Sequence, residues 1–157
     1  MIKVRVVAVG KVKEKYFLDA IKEYEKRLSK YSEFKIIEVK EENFIQEPNA
    51  SQIQEILKKE SANIKKELKG YVIACCIEGK KFDSVAFSKQ ISQIKSTSSE
   101  ITFVIGGSYG LSDEIKGMAN LKMSVSDMTF PHTLFRVLLV EQLYRAFSIE
   151  AEGKYHK

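Results

Sequence analysis

Few residues in this chain carry side chains able to ligate a metal, attack an electrophile or move a proton near neutral pH. There are two histidines, His132 and His156, and two cysteines, Cys75 and Cys76. Adjacent thiols and two distant imidazoles do not make a zinc set, so no metal is expected. On a strand, neighbouring side chains point to opposite faces. Cys75 and Cys76 are therefore read as buried, reduced thiols rather than as a disulfide. No G-x-S-x-G is present and neither cysteine has a histidine beside it, which leaves a nucleophilic triad poorly supported. The sharpest backbone signal is Gly106-Gly107-Ser108-Tyr109-Gly110, a turn whose glycines allow close approach of a ligand or simply a tight bend. It lacks the G-x-G-x-x-G and G-K-[ST] spacings, which disfavours dinucleotide and P-loop readings. At the end of the sequence, Tyr155-His156-Lys157 groups an aromatic ring, an imidazole and a cation, suited to stacking, proton handling and phosphate contact. Arg145 follows Glu141 by one helical turn, the spacing of an ordinary surface pair.

The elements that must position these residues alternate regularly. Ile2 to Val9 is an almost continuous apolar, β-branched run, as in a strand buried on both faces. Residues 14–30 carry Phe17, Leu18, Ile21, Tyr24 and Leu28 at helical spacing. A second strand is expected over Phe34–Val39, then a helix capped by Ser51 and running to about Leu68. Tyr71–Ile77 reads as the third strand, Glu78-Gly79-Lys80-Lys81 as a turn, and Asp83 or Ser84 as the cap of a helix to about Ile94. Ile101–Ile105 precedes the glycine turn. Ser112 caps a short helix, Leu121–Val125 forms a fifth strand, and Pro131 opens a last helix to about Ile149. This rhythm predicts an α/β sandwich around a parallel sheet, as one domain over residues 1–157. Ligands of such sheets sit beyond the carboxyl ends of the strands. Four turns leave those ends: Gly10–Lys13, Ile77–Lys80, Gly106–Gly110 and Ser126–Pro131.

Composition narrows the class. The chain has 157 residues, 44% hydrophobic and 30% charged, with net charge +5. A domain of this size buries roughly 70% of its unfolded surface and needs no staples. The apolar run Val137–Val140 is too short to span a bilayer, and Met1–Arg5 reads as a strand rather than a signal peptide, so a cytoplasmic protein is expected. The basic excess permits a nucleic-acid partner without requiring one. The last helix has apolar residues nearly all round: Leu134, Phe135, Val137 to Val140, Leu143, Tyr144, Ala146 and Phe147. One small sheet needs only one apolar stripe, so a homodimer through this helix is expected.

Several segments, in order along the whole chain, resemble one family. They are Val7-Ala8-Val9-Gly10-Lys11, Tyr24-Glu25-Lys26-Arg27-Leu28, Ile77-Glu78-Gly79-Lys80, Val104 to Leu111, Met128-Thr129-Phe130-Pro131-His132, Arg136 to Phe147, and Tyr155-His156-Lys157. Together they are similar to the bacterial methyltransferases of large-subunit ribosomal RNA that act on N3 of a pseudouridine, members of the SPOUT or trefoil-knot superfamily. The resemblance implies a deep trefoil knot in the C-terminal third, which general topology rules would exclude. It implies S-adenosylmethionine as cofactor, held largely by backbone at Cys75, Gly106 and the run Val125, Ser126, Asp127, Met128, Thr129, Phe130; Cys75 stands where the family usually has leucine. It implies a homodimer acting on ribosomal RNA in a hairpin loop.

Under that reading the methyl group passes in line to N3, and positioning is the protein's main task. His156 is the candidate to assist loss of the N3 proton, with His132 second. Arg145 would stabilise negative charge on the base or hold a phosphate, and Tyr155 would stack on a base. Residues 150–153 read as a flexible lead-in to a tail needed for transfer but not for folding. A non-catalytic ribosome-binding module and a nucleotide-dependent oxidoreductase are the rival readings, disfavoured by the intact glycine turn and the absent dinucleotide fingerprint.

Overall fold

The computed structural model describes residues 1–157. Five strands and five helices alternate: β1 (Ile2–Val9), α1 (Lys15–Leu28), β2 (Ser32–Val39), α2 (Ala50–Lys65), β3 (Tyr71–Lys81), α3 (Ser84–Thr97), β4 (Glu100–Ile105), α4 (Asp113–Met118), β5 (Leu121–Ser124) and α5 (His132–Glu150). All pairings are parallel, in the order β2-β1-β4-β3-β5. The period-two alternation of a strand explains the apolar run in β1. Val4, Val6 and Ala8 face a core shared with α1, α3 and α5, while Val7 and Val9 face a smaller core shared with α2 and α4. The sheet is covered on both sides, the α/β sandwich that the alternation predicts.

Local signals fix most helix starts. Asn49, not Ser51, caps α2: its side chain accepts from the Gln52 amide at 2.9 Å, and the Gln52 side chain accepts from the Asn49 amide at 2.9 Å. Asparagine wins because Gln52 sits where a capping box needs it. Asp83 caps α3 by accepting from the Ala86 amide at 2.7 Å, leaving the Ser84 hydroxyl to donate to Gln142 on α5. Ser112 caps α4 as expected.

The segment 78–81 is not a turn. β3 continues through it to Lys81, and its register against β5 slips, so that both Cys75 and Lys80 pair with Met123. Residues 76–79 thus make an excursion across β5. A Cβ on Gly79 would lie 2.5 Å from the Met123 amide nitrogen, so only glycine permits this crossing. The chain leaves β4, passes through α4 and returns as β5 on the far side of β3. That crossing fits the knot implied by the resemblance.

α5 lies against α1 and α3 of its own chain, burying Leu139, Val140, Leu143, Ala146 and Phe147. Part of its all-round apolar pattern therefore serves the intrachain core. Val137 is half-buried against the same core, whereas Leu134 and Leu138 stay half-buried outside it. Arg136 is buried at 3% exposure and joins α5 to the sheet, donating to Glu38 at the end of β2 and to the Gly10 carbonyl after β1. No helix is long and apolar enough to cross a membrane.

Candidate active site

Three of the four segments expected as carboxyl-end turns converge on one cavity of about 740 Å³. Cys75 to Glu78 form one wall at the β3 excursion, Ile105 to Ser108 with Gly110 and Leu111 a second, and Met123 to Ser126 with Met128 to His132 a third. Phe135 of α5 and Lys116 of α4 complete the lining. The fourth turn, Gly10 to Lys13, lies outside; its Gly10 carbonyl is engaged by Arg136 and its Cα faces the Glu41 side chain.

The glycine turn is tight for reasons of its own. Gly107 and Gly110 form an antiparallel bridge, the Gly110 amide donates to the Gly107 carbonyl at 3.1 Å, and Gly110 has φ +75°. A Cβ on Gly106 would strike the Gly110 backbone. Gly106 is thus required first by the turn itself, and any ligand contact is a consequence of that bend. Across it, the Ser108 hydroxyl donates to Glu41 at 3.2 Å.

The loop after β5 is shaped by serine hydroxyls. Ser124 donates to the Ser126 carbonyl at 2.9 Å, and the Ser126 hydroxyl accepts from the Met128 amide at 3.0 Å. Val125, Ser126, Met128, Thr129 and Phe130 all line the cavity, whereas Asp127 does not: it is exposed and pairs with Lys81. His132 opens α5 with its Nδ1 buried and unpartnered. Cys75 and Cys76 are free thiols, as expected, but only half-buried, and both border the cavity. Desolvation raises both thiols above the usual range, Cys75 furthest, so neither is a thiolate nucleophile. Lys116 and Glu78 pair at 2.5 Å on the rim, and the lysine hydrogen bond holds the Glu78 carboxyl below its ordinary range.

The remaining predicted residues gather elsewhere, toward the far end of α5. Residues 150–153 are not a loose lead-in: Glu152 takes φ 56° and the Gly153 amide donates to the Ser148 carbonyl at 2.8 Å, reversing the chain onto its own helix. Tyr155 packs edge-on against Tyr144 at 4.8 Å, its hydroxyl 3.1 Å from both Tyr24 and Glu141. Arg145 lies under the Tyr155 ring, pairs with Glu141 and reaches His156 Nδ1 at 3.2 Å. Both readings of Arg145 thus have a footing, since the Glu141 pair exists and one Nη also serves the tail. The distance from His132 to Arg145 is about 20 Å of helix, so the docked tail and the cavity are separate within one chain.

Sequence reasoning missed Lys116, Phe135 and Ser124 at the cavity and Glu141 as the hub of the tail. Only Glu141 left a trace, in its spacing from Arg145.

These features define a SPOUT methyltransferase. The family model described as "Predicted SPOUT methyltransferase" matches residues 2–156, and the chain belongs to that family. A Streptococcus pneumoniae protein named ribosomal RNA large subunit methyltransferase H is 46% identical over 159 residues, covering 99% of both chains. A Methanococcus vannielii protein is 46% identical over 157 residues, 98% of this chain and 99% of its own. Among solved structures, a methylase-family protein of Haemophilus influenzae superposes with TM-score 0.59 at 13% identity, covering 100% of this chain and 72% of the other. The tRNA (m1G37) methyltransferase of Aquifex aeolicus gives 0.51 at 12%, covering 91% and 69%. These structures share the fold.

Proposed function

We propose that this chain transfers a methyl group from S-adenosylmethionine to large-subunit ribosomal RNA, at N3 of a pseudouridine, as a cytoplasmic homodimer. One observation carries the reading: 46% identity along essentially the whole chain to a protein named for methylating that RNA.

The cavity suits the cofactor. Ile105, Leu111, Met123, Phe130 and Phe135 offer apolar contact for an adenine ring and methylene groups, while the backbone at Gly106 and the hydroxyls of Ser126 and Thr129 supply polar partners. S-adenosylmethionine brings an already activated methyl group when bound. The chain's task is to bind it, exclude water and bring the base into line. In this reading Cys75, Gly106, Val125, Ser126 and residues 128–130 hold the cofactor, while Asp127, outside the cavity, anchors the loop through its pair with Lys81. Tyr155, Arg145 and His156 meet the base, with His132 beside the cavity.

The separation of cavity and tail supports the dimer. Antiparallel packing of two α5 helices about a two-fold axis, through Leu134 and Leu138, sets the Arg145 end of one against the His132 end of the other. The tail of one protomer then completes the cavity of its partner.

Incubation with methyl-labelled S-adenosylmethionine and either separate ribosomal subunits or assembled ribosomes, followed by mapping of the labelled nucleotide, tests the reaction. Label in a large-subunit pseudouridine is the expected result; label in no RNA rejects it.

A further inference from the structure

Donor and acceptor counting around the tail fixes the direction of its hydrogen bonds. A guanidinium has only donors, and an ionised carboxylate only accepts. Arg145 donates to Glu141 Oε1 through Nε at 3.0 Å and Nη2 at 2.5 Å. The Tyr155 hydroxyl donates to the same oxygen at 3.1 Å, so its own oxygen is left to accept from the Tyr24 hydroxyl, 3.1 Å away. Arg145 Nη1 lies 3.2 Å from His156 Nδ1 and can only donate there. The ring must present a lone pair at Nδ1, which puts the single proton of the neutral imidazole on Nε2.

We infer that the tail meets the base as a set of hydrogen-bond donors: Glu141 holds Arg145, Arg145 sets the tautomer of His156, and His156 offers Nε2–H rather than a lone pair. This rests on the proposed reaction in one respect, that the base is brought against the tail. His156 thereby loses the role of proton acceptor that sequence reasoning gave it. Its neighbours do not take that role over. Arg145 stays cationic, its proton held chiefly by the hydrogen bond to Glu141. Tyr155 stays a phenol, raised far above the usual range first by burial, then by its hydrogen bonds to Tyr24 and Glu141.

With no acceptor in the tail, the N3 proton leaves to solvent water or to His132 at the cavity, whose buried Nδ1 has no partner. The electron pair left on N3 forms the new bond to the methyl carbon, while the methyl–sulfur bond breaks with its pair remaining on sulfur. Before transfer, the negative charge spread onto the carbonyl oxygens flanking N3 is met by His156 Nε2–H and the Arg145 guanidinium, donors fixed in advance by Glu141.

Three substitutions at His156 separate donor from base. His156→Gln places an amide N–H near the position of Nε2, His156→Asn places one near Nδ1, and His156→Ala removes both. With S-adenosylmethionine and ribosomes, the Gln variant should stay within about tenfold of wild type while Asn and Ala fall by roughly 10²-fold or more. A Gln variant as slow as Ala means that a proton acceptor is needed and overturns the inference. An Ala variant at the wild-type rate removes His156 from the reaction and overturns it too; labelling of the RNA would still stand, so the two failures are distinguishable. Independently of turnover, nitrogen NMR of labelled histidine should show His156 protonated at Nε2 and not at Nδ1, with His132 the one other signal. Protonation at Nδ1 would overturn the assignment. Glu141→Gln should lower kcat several-fold with cofactor Kd unchanged, and an unaltered kcat would overturn its positioning role.

Discussion

Arg136 of α5 donates through Nη2 to the carbonyl of Gly10 at 3.1 Å, across a separation of 126 residues. Nη1 of the same guanidinium donates to Glu38 at 2.5 Å. One buried cation thus ties the opening turns of α5, whose residues His132 and Phe135 line the cavity, to the carboxyl ends of β1 and β2. Arg136→Met should leave the Gly10 carbonyl and Glu38 without this partner and cost about 2–4 kcal/mol. Urea unfolding of the two proteins measures it; a loss below about 0.5 kcal/mol would show that the tie is dispensable.

The glycine turn makes a paired prediction. Gly106→Val drives its side chain into the Gly110 backbone, so the turn must shift and affinity for S-adenosylmethionine should collapse, with a measurable fall in Tm. Gly117, inside α4 with open space where a Cβ would be, offers the control: Gly117→Ala should leave affinity intact and stabilise by about 0.5–1 kcal/mol. Calorimetry with the cofactor reads both, and unchanged affinity in the Gly106 variant rejects the placement.

The proposed dimer is best tested at Leu138 rather than Leu139. Leu139 is fully buried, so Leu139→Glu should unfold the chain and say nothing about assembly. Leu138 is half-buried on the outer side of α5. Leu138→Glu should give a folded monomer by light scattering and circular dichroism, inactive because no partner tail reaches its cavity. Wild-type protein that scatters as a monomer at micromolar concentration would remove the dimer altogether.

Glu60 makes stability fall with rising pH. It is buried at 3% exposure on α2 and accepts from the Glu42 amide at 3.0 Å. Desolvation, then the nearby Glu41 and Glu42 carboxylates, push its pKa up to about 7 against that backbone bond. Between the ordinary carboxyl range and about pH 7 the folded chain holds a proton that the unfolded chain has released, so folding loses stability across that window. Glu60→Gln keeps a carbonyl acceptor and removes the ionisation. Its unfolding free energy should exceed that of wild type at pH 8 by on the order of 1–3 kcal/mol, with a higher Tm, and match it near pH 4. Equal Tm at both pH values would show that Glu60 ionises without penalty.

The tail should matter to folding as well as to turnover. Deleting residues 155–157 removes the Tyr155–Tyr144 contact and the Tyr24 and Glu141 hydrogen bonds. A loss of about 1–2 kcal/mol is expected, with cofactor affinity retained and methyl transfer on ribosomes severely reduced. Full activity after the deletion would return the tail to a purely structural role.

What the sequence by itself determined was whatever depends on near neighbours and periodicity. The alternation of β-branched runs with helical stripes set the parallel α/β sandwich, because a doubly covered strand must be apolar on both faces. Capping residues set most helix starts, and Ser51 misled only because Asn49 had its partner in Gln52. The glycine turn and the loop after β5 were legible as cavity walls because parallel strands all present their carboxyl ends on one side. Tertiary structure alone decided the rest. The strand character of residues 78–81 depends on β5 arriving beneath Gly79, a contact with no local signature. The buried Arg136 tie and the Lys116–Glu78 pair join residues too distant for any spacing to reveal. The direction of the tail was settled by packing against Tyr24 and Tyr144, and with it the tautomer of His156. A hydrogen bond's sense is a property of the pair, and the chain does not state which residues will meet.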